Sequence, residues 1–146
     1  MPTLVTSVLP DSSPQPAAPA ERPRLQPETL QALRALDPTT GSDFLRRVLT
    51  TYLTSLDKHL VGLPRAVQDG DRAAFVLSVH SLKSASASIG ALAMSQSCAT
   101  HEAALRGPDA DAAWQSLREG DGLAALLALG EQTRVAVQDE LREMGA

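Results

Sequence analysis

Residues 75–90, FVLSVHSLKSASASIG, contain the pattern that decides the fold. Apolar and small residues recur at spacings of three and four, the period of one face of an α-helix; they are Phe75, Val79, Leu82, Ser86 and Ile89. His80, Lys83 and Ser84 fall on the neighbouring stripe. The stretch therefore predicts a helix whose apolar seam faces a core, with His80 and Lys83 partly exposed beside that seam.

The composition favours a helical protein with one domain. The chain has 146 residues, of which 43% are hydrophobic but only 3% aromatic, and Ala and Leu predominate. Such side chains suit closely packed helices, and the length is sufficient for one core. The net charge of -4 and the scattered Lys and Arg residues argue against nucleic acid as a partner.

Other features of the sequence bear on the compartment. Cys98 is the single cysteine, so no internal disulfide can form. The first residues contain neither a basic region nor an apolar run of signal-peptide length, and no stretch has the roughly 18 to 20 apolar residues that span a bilayer. We therefore expect a cytoplasmic protein without membrane contact.

Proline usage divides the chain into two segments. Seven of the ten prolines lie in the first 27 residues, among Ser, Ala and Gln and without a hydrophobic period. Such a segment buries too little apolar area to offset its ordering entropy. We predict a flexible tail or linker over residues 1–26 and a helical domain over residues 27–146.

The domain begins with two predicted helices. The first starts at Pro27 and has three residues on one side, Leu30, Leu33 and Leu36, before Pro38 ends it. The second starts with Ser42 as its N-cap. Gly62 and Pro64 are predicted to kink or interrupt it, because proline lacks the amide donor and clashes with the preceding turn.

Further helices complete the chain. The third runs from about 71 to 88 and is followed by a turn at Gly90, and the fourth runs from about 91 to 106. A short helix is predicted before Gly120, and a last helix after it has Leu123, Leu126, Leu127, Val137 and Leu141 on its inward side. Short connections favour antiparallel neighbours. The predicted fold is all-α, an up-and-down antiparallel four-helix bundle with a short extra N-terminal helix.

The segment VHSLKSASASIGALAMSQSCATHEAALRG, residues 79–107, resembles the core of the histidine-containing phosphotransfer (HPt) domain family. The family pattern is H-x-L-K-G, a further Gly six positions beyond that Gly, then a Cys and an acidic or amide residue on the next helix. The matching residues are His80, Leu82, Lys83, Gly90, Cys98 and Glu102. Because the first two predicted helices also look like those of the family, the resemblance covers about residues 28–144.

The resemblance implies a phosphoryl-group carrier of a two-component phosphorelay, without kinase activity of its own. In this family the imidazole attacks the aspartyl phosphate of a receiver domain and later passes the group to another receiver. Histidine suits the attack because its reference pKa of about 6.5 leaves the free side chain largely neutral in the cytoplasm. By analogy His80 is the phosphoryl acceptor, Lys83 stabilises the phosphoryl charge, Glu102 orients the imidazole, and Arg106 is a candidate for additional positive charge.

The resemblance also implies partners. They are receiver domains of response regulators, a hybrid histidine kinase, or both. No cofactor is expected on this chain, since magnesium is expected to come with the receiver domain, and the domain is expected to be a monomer.

Two positions depart from the family pattern. Ser84 stands where Gly usually follows the Lys. It is expected to line the site, where its hydroxymethyl group either crowds an incoming receiver or donates a hydrogen bond to a phosphate oxygen. His101 stands where the family prefers an apolar residue, which leaves the packing of the fourth helix open.

Two other functions stay open on the sequence. A helical adaptor with a degenerate motif would bind partners without phosphoryl transfer. A metal-binding bundle would use Cys98, His101 and Glu102 at i, i+3 and i+4, with His80 or His59 completing the set, although no CxxC or HExxH motif supports it. A histidine kinase core is disfavoured, because the sequence has no Gly-rich nucleotide-binding segment.

Overall fold

In a computed structural model, which describes residues 23–39 and 41–145, the chain forms six helices and no strand. They are α1 (Pro27–Ala35), α2 (Gly41–Asp69), α3 (Arg72–Ser88), α4 (Leu92–Arg106), α5 (Ala110–Glu119) and α6 (Gly122–Gly145). The predicted all-α fold is confirmed. Over the described ranges, no helix combines the length and the apolar character needed to cross a membrane.

One hydrophobic core lies between α2, α3, α4 and α6. Helix α3 packs between α2 and α4, and α6 closes the bundle against both of these helices, while α1 packs on α2 and α5 lies against α4 and α6. Short turns join α2 to α3 and α3 to α4, so these packed neighbours run antiparallel. The seam predicted on α3 is buried at every position, namely Phe75, Val79, Leu82, Ser86 and Ile89.

Helix α2 runs without a break through Gly62 and Pro64, so the predicted interruption is wrong. Pro64 removes one backbone hydrogen bond, at a cost of about 3 kcal/mol or more in a helix interior. Leu60 and Leu63, in the turn before the proline, are buried, and burial of each leucine contributes about 1.5 to 3 kcal/mol. The helix continues because core packing along α2 outweighs the local preference of proline.

Two helix ends also differ from the predictions. Leu36 follows the last residue of α1 and is 69% exposed, whereas Leu30 is buried, so the two do not share an inward side. Pro38 disfavours helical conformation just before it, which ends α1 early. Helix α2 begins at Gly41, and Ser42 therefore lies inside its first turn instead of at the cap.

The residues just before α1 contact the bundle. Most of the predicted tail, residues 1–22, lies outside the described residues. Leu25, near its end, is buried, and the Gln26 amide donates a hydrogen bond to the Gly90 carbonyl oxygen at 2.9 Å. The turn between α3 and α4 is thereby fixed to the segment that precedes α1.

Candidate functional site

The candidate site lies where α3 and α4 pack against each other, about three helical turns from the Gly90 turn. Helix α3 presents His80 and Lys83, and α4 presents Glu102 and Arg106. Because the two helices form an antiparallel pair joined by a short turn, residues at similar distances before and after that turn meet. The structure therefore brings together four of the five site residues named from the sequence.

The carboxylate of Glu102 holds the imidazole of His80. His80 Nδ1 lies 2.7 Å from Glu102 Oε2. An ionised carboxylate only accepts hydrogen bonds, so Nδ1 carries the proton and Nε2 of the neutral ring keeps its lone pair. No hydrogen bond to Nε2 occurs among the described residues. The His80 side chain is 53% exposed, so this nitrogen belongs to a half-exposed ring.

Two cations converge on the same carboxylate. Lys83 Nζ lies 2.6 Å from Glu102 Oε1, and Arg106 Nε donates a hydrogen bond to Oε2 at 3.1 Å. The Glu102 side chain is only 9% exposed, whereas those of Lys83 and Arg106 are 35% and 55% exposed. The buried carboxylate of Glu102 thus contacts three partly exposed side chains, those of His80, Lys83 and Arg106, and holds them close together.

These contacts lower the pKa of Glu102 from its ordinary value of 4.5 to about 2. The Lys83 ammonium is the largest cause, burial acts in the opposite direction, and the hydrogen bond and charge of His80 add to the lowering. Glu102 is therefore ionised at neutral pH and can act only as an acceptor toward His80.

The surface beside His80 carries small residues and one exposed leucine. Ser81 and Ser84 are exposed, and Ser84 lies one turn after His80. Leu77 lies one turn before His80 and is 65% exposed, although it is large and apolar. Its position off the apolar seam is the sequence signal for this exposure, and it adds an apolar contact point beside the imidazole.

A further link between the helices has no comparable signal in the sequence. Ser95 Oγ on α4 donates a hydrogen bond to the Lys83 carbonyl oxygen at 2.9 Å. This bond ties α4 to the backbone of α3 next to the site. It depends on a contact between two helices, and nothing in the local pattern around Ser95 indicates it.

The three donors considered for a metal site are not brought together. Cys98 is fully buried, and burial, with a smaller effect of Glu102, raises the pKa of its thiol to about 12. His101 instead packs edge-on against Phe75, with ring centroids 6.3 Å apart, and burial lowers its pKa. Within residues 23–39 and 41–145, no group of three or more His, Cys, Asp or Glu side chains is arranged to hold a metal ion.

Comparisons with known proteins agree with this fold. A family model described as the Hpt domain matches residues 47–145. Among solved structures, the chain is similar to histidine-containing phosphotransfer protein B (HptB) from Pseudomonas aeruginosa PAO1, with 24% sequence identity and a TM-score of 0.51 over 79% of this chain and 97% of that chain. A comparison with curated proteins finds no significant match. At this identity, the likeness to HptB supports the fold.

The bundle and the family match define the class, a histidine phosphotransfer domain. The chain belongs to the Hpt domain family, because the match extends over well more than half of its residues. The resemblance predicted from residues 79–107 is thereby confirmed. Proteins of this family interact with receiver domains and kinases and carry phosphoryl groups in phosphorelays, so histidine phosphotransfer is the function class of this chain.

Proposed function

We propose that the chain accepts a phosphoryl group on Nε2 of His80 from the aspartyl phosphate of a receiver domain and passes it to the aspartate of another receiver. The observation that carries this proposal is the 2.7 Å contact between His80 Nδ1 and Glu102 Oε2. The contact holds the proton on Nδ1 and leaves Nε2 as the nucleophile of a half-exposed ring.

The proposed transfer balances without a general base on this chain. The Nε2 lone pair forms the N–P bond while the P–O bond to the receiver aspartate breaks, and the aspartate leaves as a carboxylate. The ring becomes an imidazolium that keeps its Nδ1 proton against Glu102. Transfer to the next receiver reverses these changes, so the chain contributes orientation and charge stabilisation.

Lys83 and Arg106 are the groups proposed to stabilise the phosphoryl oxygens. Both are cations within one helical turn of a site residue, and both already lie at the carboxylate below His80. Positive charge near the transferring oxygens lowers the barrier because it balances charge that is spread over those oxygens. In this proposal magnesium comes with the receiver domain, and the chain binds no cofactor of its own.

The proposed docking surface is the exposed face of α3 around His80. Ser81 and Ser84 are small, which leaves room for the backbone of a receiver, and Leu77 offers an apolar contact. Ser84 is proposed to line the site. Because one chain supplies every site residue, the proposed active form is a monomer, and the single buried Cys98 suits a reducing compartment such as the cytoplasm.

The test is transfer from a radiolabelled phosphorylated receiver domain. The wild-type chain is expected to take up label that is acid-labile and alkali-stable, as a phosphoramidate is, and the His80→Gln variant is expected to take up none. His101→Gln is the matched control and is expected to keep the label, since His101 packs against Phe75.

Two results contradict this proposal. Equal labelling of wild type and His80→Gln would show that the phosphoryl group resides on another residue. A wild-type chain that takes no label from any of several receivers would favour the adaptor function.

A further inference from the structure

The ion pairs of the site leave Lys83 and Arg106 engaged before any phosphoryl group arrives. Glu102 Oε1 faces Lys83 Nζ at 2.6 Å, and Glu102 Oε2 receives both Arg106 Nε at 3.1 Å and His80 Nδ1 at 2.7 Å. In the described part of the chain, neither cation pairs with any other carboxylate. Oε2 thus takes part in two hydrogen bonds, whereas the buried Oε1 has the Lys83 ammonium as an ion-pair partner and no hydrogen bond among the described residues; both cations are drawn toward the Nδ1 side of the imidazole.

The phosphoryl group would be bound on the opposite edge of that ring. Nε2 and Nδ1 are separated by one carbon atom, and their lone pairs point in different directions. A phosphoryl group on Nε2 carries close to two negative charges and three acceptor oxygens, which attract the same ammonium and guanidinium groups. The buried carboxylate and the phosphoryl oxygens are therefore rival acceptors for Lys83 and Arg106.

We propose that Glu102 competes with the phosphoryl group for Lys83 and Arg106, and so weakens the hold of the site on the phosphoryl group and favours its release to a receiver. This inference rests on the proposed function, because it concerns the same phosphohistidine. It assigns to Glu102 a second role beside orientation of the imidazole. The site becomes a carrier whose charge balance favours passing the group on over storing it.

The direct effect of the carboxylate on phosphohistidine is small by comparison. Glu102 attracts the imidazolium formed by transfer and repels the phosphoryl group. The repelled charge is larger but lies farther away, beyond the opposite edge of the ring, so the two Coulomb energies oppose each other. The main effect of Glu102 on the phosphoryl equilibrium is therefore set by the fraction of time for which its carboxylate holds Lys83 and Arg106.

Glu102→Gln isolates this effect. The amide oxygen still accepts the Nδ1 proton of His80, and the side-chain volume is unchanged, but the negative charge that holds the cations is gone. The equilibrium constant for the phosphoryl group on His80 relative to the receiver is expected to rise roughly threefold to tenfold, as expected when two partly exposed ion pairs are released.

The experiment measures the distribution of label between a receiver domain and the chain at equilibrium. Wild type is compared with Glu102→Gln. The same comparison is then made between two chains that both carry Lys83→Ala and Arg106→Ala, one with Glu102 and one with Glu102→Gln. In the chain that lacks both cations, the increase in the equilibrium constant caused by Glu102→Gln is expected to fall below about twofold. The reason is that the cations for which the carboxylate and the phosphoryl group compete are absent. Asp111→Asn, which removes the carboxylate of the exposed Arg72–Asp111 pair at 2.9 Å, is the matched control and is expected to leave the constant unchanged.

The outcomes separate this inference from the proposed function. An unchanged or lowered constant in a labelled, folded Glu102→Gln chain overturns the inference and leaves His80 as the acceptor. An increase that persists without Lys83 and Arg106, or that Asp111→Asn also produces, overturns it as well. A wild-type chain that takes up no label overturns both.

A measurement on the wild-type chain covers the case in which Glu102→Gln does not fold. The ¹⁵N signal of the Lys83 ammonium, assigned by comparison with Lys83→Ala, is expected to move when His80 is phosphorylated, because Nζ leaves Glu102 Oε1. A signal that stays unmoved in the phosphorylated chain overturns the inference.

Discussion

About three helical turns separate His80 from the Gly90 turn, and the α3–α4 pair is held differently at these two places. Around His80 the contacts are between charged side chains, and His80 and Arg106 remain about half exposed. At the turn the contacts are made by the backbone and by buried apolar groups, with Gly90 at φ +81 and the Gln26 amide bonded to its carbonyl.

The difference shows that the Gly90 turn and the site have different roles in the α3–α4 pair. The turn fixes the relative position of the two helices, so side chains that are distant in sequence meet at the site. The site itself is polar and partly exposed, which suits the proposed transfer of a phosphoryl group. Changes at the turn should therefore act mainly on stability, and changes at the site mainly on phosphoryl chemistry.

The largest effect on stability is expected from Gly90→Ala. An alanine Cβ there would lie 2.8 Å from the Gln26 amide nitrogen and 3.0 Å from Thr29 Cβ, in a left-handed conformation that disfavours any side chain. The free energy of unfolding, measured in urea, is expected to fall by about 2 to 3 kcal/mol. Phosphoryl uptake per folded molecule is expected to stay near the wild-type value.

Gly70→Ala is the matched control for that prediction. Gly70 also has a positive φ of +71, but a Cβ there meets nothing within 4 Å. Its cost is therefore only the conformational one, about 1 kcal/mol. Equal losses of unfolding free energy in the two variants would show that the close approach of Gln26 to Gly90 contributes nothing to the stability of the α3–α4 pair.

Lowering the pH is expected to have an intermediate effect on the free energy of unfolding. The effect should come from the site and not from the Gly90 turn. Because the pKa of Glu102 is lowered to about 2 in the folded chain, the unfolded chain, with a pKa near 4.5, binds this proton first as the pH falls. The stability that Glu102 contributes is therefore fully present above about pH 4.5 and is lost as the pH falls toward 2.

The measurement is the difference in unfolding free energy between wild type and Glu102→Gln as a function of pH. We expect a constant difference from neutral pH down to about pH 5 and a decline below 4.5. The difference between wild type and Gly90→Ala should stay flat over the same range, because no charge is involved. A difference at Glu102 that declines already between pH 8 and 6 would contradict this account.

The smallest effect is expected from Ser84→Gly, next to the proposed nucleophile His80. Ser84 is exposed one turn after His80, so removing its hydroxymethyl group opens the docking face. The transfer rate is expected to stay the same or to rise by up to about threefold, while glycine in a helix lowers stability by about 0.5 kcal/mol. Rapid-quench transfer kinetics measure the rate. A large loss of rate would instead show that the hydroxyl group takes part in transfer.

Much of the fold could be predicted because it depends on local periodicity. The seam on α3 and the order of the helices follow from apolar spacing at 3.6 residues per turn. The predicted interruption at Pro64 and the predicted position of Leu36 were wrong for a common reason, since both used local preference or spacing where packing and a nearby proline decide the outcome.

The candidate site could be predicted only in part. The stripe that carries His80 and Lys83 follows from helix geometry, and an i,i+4 pair of Glu102 with Arg106 follows from spacing on one helix. That the His80–Lys83 pair and the Glu102–Arg106 pair lie together was predicted from the family resemblance alone. That Lys83 lies on the Glu102 carboxylate has no signal in the sequence, since it depends on how closely α3 and α4 pack.

By itself, then, the sequence determined the helices, the buried seam and the exposed stripe beside it, because the period of an α-helix converts spacing directly into faces. Only the tertiary structure decided that one buried carboxylate is shared by His80, Lys83 and Arg106, and that Gln26 fixes the turn at Gly90. Apart from the local Glu102–Arg106 pair, these contacts join residues far apart in the chain. Their strength depends on distance and burial after packing, which no local pattern encodes.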